Sequence, residues 1–278
     1  MLTCHDYSIS LAQLRGVRLH EALPALAGAG FRGFVLSRDV YQAERDAGLS
    51  DADIRGLVAD HGMEIEYLDG MICWLPGAPL PPLPPGVTMV TDPTAFFEAA
   101  AAIGAPIVNA VEIFRYDPGH AAIVDGFAAI CREAQSFGLK VCLEFTPLGS
   151  IPDLGSAAQV LADAGADNGG VLFDTWHFAR SGGKPADLAT LPSERFFALQ
   201  VSDTAEAAHD NAFDEALHHR LLPGQGSGNL AEVLRACAAH GIRRPLSAEV
   251  LSDDLAALPV SERLRLTMAA LEAVSPYA

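Results

Sequence analysis

At 278 residues, half of them hydrophobic and only 19% charged, the chain suits one large α/β domain and is too apolar to stay disordered. A net charge of −17 with only 18 lysines and arginines excludes a nucleic-acid face, because phosphate binding needs clustered cations. Five scattered cysteines (Cys4, Cys73, Cys131, Cys142, Cys237) without a C-x-x-C pair exclude a disulfide framework and a thiolate zinc site.

The chain opens on "MLTCHDYSIS", which lacks the basic n-region and apolar h-region of a secretory leader. No uninterrupted apolar run reaches the ~18 residues of a membrane span, so a cytoplasmic protein without membrane contact is expected. Short apolar runs then alternate with Ala- and Leu-rich segments of helical spacing. The runs are "LTCH" (2–5), "GFVLS" (33–37), "EIEYL" (64–68), "IVNAVEI" (107–113), "KVCLEF" (140–145), "GVLFD" (170–174), "FFALQVSD" (196–203) and "LSAEV" (246–250). Between them, helix starts stand at Ser50, at Asp92-Pro93 and at Ser261. Several helices run into a glycine just before the next strand, as in "AGAGFRGF" and "AAHGIRRP", where a C-cap glycine feeds the turn.

Eight such strands predict a parallel sheet closed as a (β/α)8 TIM barrel, one domain over residues 1–278. A doubly wound open sheet is the alternative, but no G-x-G-x-x-G follows the first strand. The proline-rich "WLPGAPLPPLPPGVTMV" (74–90) reads as an extended lid, a partner contact or a rigid surface loop.

In a barrel, chemistry sits at the C-terminal strand ends. There the sequence places His5, Glu112, Glu144, Asp174, Gln200, Asp203 and Glu249. Each acid alone reads as a cap or a solvated rim group. Together they would converge on one mouth, where neighbouring carboxylates repel unless protonated or bound to a cation. Oxygen donors select a hard or intermediate divalent ion, Mg, Mn or Co in preference to Zn.

From Val141 to Val250 the segments "VCLEFTP", "GVLFDTWHFARSGG", "RLLPGQGSGNL" and "LSAEV" follow one another in an order that resembles the xylose-isomerase-like TIM barrels. That family includes sugar-phosphate isomerases, ketose 3-epimerases, inosose and dehydroshikimate dehydratases and type IV endonucleases. The resemblance implies metal ligation by Glu144, Asp174 and Glu249, and catalytic roles for Glu144, Glu249 and His177. It further implies that Arg220 holds a substrate oxygen or carboxylate and that Trp176 walls the pocket; Glu112 is a further substrate-contact candidate. Gln200 departs from the histidine that many members carry on the seventh strand. The dehydroshikimate dehydratase branch includes members with glutamine there, and its amide oxygen would complete the ligand set.

The implied chemistry is proton abstraction next to a carbonyl through a metal-stabilised enediolate, giving a sugar or polyol isomerase or epimerase. A dehydratase of the 3-dehydroshikimate or inosose type, and a non-catalytic ligand-binding barrel, are the alternatives. The partner is a small sugar, polyol or cyclic hydroxy-ketone; a homodimer stays open. His209, His218 and His219 read as solvated histidines, Arg115 and Arg180 as the other cations near the mouth, and Phe145 as packing or a sugar-stacking ring.

Overall fold

The computed structural model describes residues 2–79 and 91–278. Its strands are β1 (Tyr7–Ile9), β2 (Gly33–Ser37), β3 (Glu64–Met71), β4 (Ile107–Val111), β5 (Lys140–Glu144), β6 (Gly169–Asp174), β7 (Phe196–Val201) and β8 (Leu246–Ala248). They form one parallel sheet in the order β1-β8-β7-β6-β5-β4-β3-β2. A parallel bridge from Ser10 to Val35 and the bond from Arg32 N–H to the Tyr7 carbonyl draw β1 to β2, so the sheet is a nearly closed barrel. No helix among the described residues is long and apolar enough to cross a membrane.

Side-chain alternation divides the core into two shells. Outward residues such as Phe34, Leu68, Val108, Leu143, Val171, Phe173 and Leu199 pack with the helices. Inside the barrel Val35, Tyr67, Cys142, Leu172, Phe197 and Ala198 form a smaller cluster. One inward position further along β3, β5, β6 and β7 come Asp69, Glu144, Asp174 and Gln200. The apolar interior thus ends where the polar residues begin.

Register shifts adjust this pattern at three places, one of them between β3 and β4, where Leu68 pairs with Val108 but Met71 with Ala110. Phe34 pairs with Ile65 but Leu36 with Leu68, so Glu66 and Tyr67 together occupy one inward place on β3. Val171 pairs with Phe196 and Leu172 with Ala198, which does the same for β7.

Ser50 caps its helix reciprocally with Asp53, and Asp92 caps Pro93–Ile103 through the Thr94 N–H. Gly30 and Gly241 end their helices in the left-handed conformation, where a side chain would be strained. The first strand differs from its expectation at residues 2–5: the Asp6 carboxylate accepts from both Thr3 N–H and Thr3 Oγ1, closing a turn that delays the strand to Tyr7. His5 consequently lies exposed in that turn, before β1 and away from the strand ends. The last long helix begins at Val260 after Pro259, one residue ahead of the expected Ser261 start. Of the proline-rich piece, Trp74 and Leu75 are buried, Trp74 edge-on to Phe127, while residues 80–90 lie outside the described residues.

Candidate active site and metal centre

Asp174 ends β6 and at once caps the short helix Thr175–Arg180. Its Oδ1 accepts from the Trp176 and His177 N–H groups at 2.6 and 3.1 Å. The immediate turn swings His177 toward β5, where its Nε2 lies 3.3 Å from Glu144 Oε1. Ligand atoms of Glu144, Asp174 and His177 fall within 4.8 Å of one another, all three residues being buried. This explains why an apolar strand closes on "DTWH": the acid is both strand end and helix cap, and the cap aims the histidine.

Glu249 follows β8 directly and joins the group through Arg220. The guanidinium donates to Asp174 Oδ2 at 2.8 Å and to Glu249 Oε2 at 3.2 Å, and lies 5.2 Å from the centroid of the buried Trp176 ring. Gln200 donates through Nε2 to the Tyr67 hydroxyl at 2.7 Å, while its Oε1 is buried with no hydrogen-bond partner. His177 Nδ1 and Trp176 Nε1 are orphaned in the same way.

Two residues that the sequence does not single out complete the cluster. Asn109 on β4 donates to Asp69 Oδ1 at 2.7 Å and to Glu144 Oε2 at 2.6 Å. Asp69 escapes a reading by period because the β3 bulge shifts the inward phase beyond Leu68. Asn109 carries a usable signal, an amide in the middle of the apolar run "IVNAV".

The remaining candidates are held elsewhere. Glu112 lies just past β4 and accepts from Phe114 N–H at 2.7 Å and Ser150 N–H at 2.5 Å, fastening the loops after β4 and β5 to one another. Asp203 accepts from the N–H groups of Thr204, Gly224, Gly226 and Gly228, so it anchors the glycine-rich loop that follows Arg220. Arg180 is clasped by Glu215, and Arg115 donates to the Pro147 carbonyl. Phe145 is buried edge-on against Phe173 in the outer core.

The electrostatics show a site with too few cations. Burial, reinforced by Asp174, Glu144 and Asp69, outweighs Arg220 and pushes the Glu249 carboxyl up to about 8. Burial and the Glu144 charge raise Asp69 to about 7. Burial also opposes the charge on Asp174, yet the Arg220 guanidinium and His177 hold its carboxyl below the usual carboxylate range. A divalent ion fits this donor set: two buried acids and an imidazole bring ligand atoms within 4.8 Å of one another, and Gln200, the register partner of Asp174, adds an unpartnered buried oxygen.

Comparison with known proteins agrees with the fold. A family model described as the xylose isomerase-like TIM barrel matches residues 23–274. A 3-dehydroshikimate dehydratase of Pseudomonas aeruginosa is 29% identical over 256 residues, covering 91% of this chain and 39% of the dehydratase. An inosose isomerase of Halalkalibacterium halodurans is 26% identical over 184 residues, 64% of each chain. The chain therefore spans less than two thirds of either relative. Among solved structures, the IOLI protein with a binding zinc atom superposes with a TM-score of 0.84 at 19% identity, covering 98% of this chain and 99% of that one.

Proposed function

The chain belongs to the xylose isomerase-like TIM barrels, and on that premise we propose that it is a divalent-metal-dependent enzyme removing a proton next to the carbonyl of a small polyhydroxylated ketone. One observation carries the reading: Asp69, Glu144, Asp174 and Glu249 converge around the guanidinium of Arg220 and the ring of His177. Acids gathered so closely destabilise the fold unless a cation or a proton offsets them.

Glu144, Asp174, Gln200 and Glu249 would hold the ion, with His177 beside it. The oxygen donors favour Mg, Mn or Co, while the imidazole within the closest ligand group admits Zn. When bound, the ion supplies positive charge for the oxygen that becomes anionic as the proton leaves.

Glu144 is the base of this proposal, because Asn109 fixes one of its oxygens and the other faces His177. Glu249, three strands round the barrel, faces the substrate from another side and returns the proton in an isomerisation or epimerisation. In a dehydration, His177 delivers a proton to the departing β-hydroxyl, and that hydroxyl satisfies its orphaned Nδ1.

Dehydration of a cyclic hydroxy-ketone of the 3-dehydroshikimate type has a specific observation in its favour. Gln200 stands where many members carry histidine and where the dehydroshikimate branch includes glutamine, and the Pseudomonas dehydratase matches over 91% of the chain. The inosose isomerase keeps isomerisation as the second reading. The deciding experiment incubates metal-loaded protein with 3-dehydroshikimate, inososes and ketoses in D₂O. A product lighter by one water establishes the dehydratase, and deuterium in an isomer establishes the isomerase or epimerase. Absence of both with every metal tried overturns the enzyme reading for these substrates and leaves a ligand-binding barrel.

A further inference from the structure

The loop after β7 carries a second group of ligand atoms, separate from the acids of the barrel mouth. His209 Nδ1 lies 3.6 Å from Asp214 Oδ2, and His219 Nε2 lies 3.2 Å from the same oxygen. The two imidazoles stack with centroids 4.9 Å apart and planes at 27°. All three ligand atoms fall within 4.8 Å of one another. Zinc-class ions bond imidazole nitrogen and carboxylate oxygen at about 2.0–2.2 Å, so adjacent corners of their tetrahedron lie about 3.3–3.5 Å apart. The two N···O separations straddle that edge length.

The Asn211 N–H donates to His209 Nδ1 at 3.4 Å, a long hydrogen bond that an ion at this nitrogen would displace.

The ligands sit on a prepared frame. Glu215 accepts from the His209 N–H at 2.9 Å through Oε2 and is clasped by Arg180 through Oε1, and its carbonyl accepts from the His219 N–H at 3.0 Å. The same segment carries Phe213, whose ring stacks on Phe114 from the loop after β4 at 6.3 Å. Arg220, which bridges Asp174 and Glu249, follows His219 directly.

We propose that His209, Asp214 and His219 form a second divalent-metal site, of zinc class with a fourth corner for water, and that its occupation locks the loop after β7. The lock holds Phe213 on Phe114 and Arg220 on the mouth acids. This site shares no ligand with the mouth, so it stands or falls independently of the reaction proposed above.

The test uses chelator-stripped full-length protein, titrated with zinc chloride and assayed for bound metal after desalting. Wild-type protein is expected to take up one equivalent more than the His209→Ala/His219→Ala variant, and Glu144→Gln protein is expected to retain that equivalent. Far-UV circular dichroism establishes that each variant is folded. Equal uptake by wild type and the double variant would overturn the site. For the lock, protease cleavage within residues 205–212 of the Glu144→Gln protein should slow several-fold on zinc addition and be unaffected in the Glu144→Gln/His209→Ala/His219→Ala variant; a rate that zinc leaves unchanged in the first, or slows equally in both, would overturn it.

Discussion

Asn109 and His177 each hold one oxygen of Glu144, and that fixes what a substitution there should do. Glu144→Gln keeps the shape but removes the charge that accepts a proton, so turnover should fall by roughly 10²–10⁴-fold, the usual worth of a positioned base. Steady-state kinetics on the substrate identified by the D₂O screen would show it, and a rate within a factor of a few of wild type would move the base elsewhere. Glu66 poses a different problem one layer deeper. Its oxygens lie beside the Ser8 and Ser247 hydroxyls with no hydrogen bond closed, and burial raises its carboxyl to about 7. The folded protein therefore holds a proton there that the unfolded chain releases above about 4.5, and stability falls as pH rises between those values. Glu66→Gln should remove that slope and stabilise the protein at pH 8 by a few kcal/mol, since each tenfold change in proton affinity between the folded and unfolded chain is worth ~1.4 kcal/mol. Paired urea melts at pH 5 and pH 8 would reveal a parallel pH dependence in both proteins if Glu66 titrates normally.

The glycine-rich loop after Arg220 shows how an element positions a residue it does not contain. Asp203 gathers three glycine N–H groups, and a side chain on Gly226 would meet the Thr204 carbonyl oxygen at 2.3 Å. Gly226→Ala should thus cost roughly 1–3 kcal/mol as an overpacked contact. It should also lower kcat by loosening Arg220 while the mouth ligands still retain metal; unimpaired turnover would show that the loop does not set the guanidinium. The same loop illustrates what the sequence discloses. Its motif and the strand-end acids are legible because strand alternation sends Glu144, Asp174, Gln200 and Glu249 inward at one level of the barrel. Asp69 is not, since a bulge at Glu66 and Tyr67 breaks the two-residue period on which such reading depends. Asp203 and Glu112 are legible as acids near strand ends, but not as loop fasteners, because backbone N–H partners leave no mark in side-chain identity. His209 and His219 read as solvated helix residues, and only the turn that stacks them brings their nitrogens to one oxygen.

Across the whole molecule, a formal net charge of −17 and a cluster of acids in the barrel mouth act in the same direction. Self-repulsion opposes folding, and divalent cations are drawn to the surface and into the mouth. Without metal, Asp69, Glu66 and Glu249 are raised to about 7, 7 and 8, so the folded state binds more protons than the unfolded chain from about pH 4 to pH 8. The sign follows: metal-free stability declines across that window, and the destabilisation is fully developed above pH 8. A metal ion in the mouth competes with the protons on Asp69 and Glu249, so its contribution should be small at pH 5 and large at pH 8. At a hundredfold excess over Kd it adds ~2.7 kcal/mol, enough to raise Tm by several degrees in a chain of this size. Manganese, which suits the oxygen donors of the mouth, is the ion to use, with Glu144→Gln protein separating the mouth from the histidine group on the loop after β7. Wild-type protein should gain several degrees at pH 8 and much less at pH 5, and the variant should lose most of the gain. Equal shifts at both pH values would mean that the ion binds without displacing protons, and the acids of the mouth would then have no part in holding it.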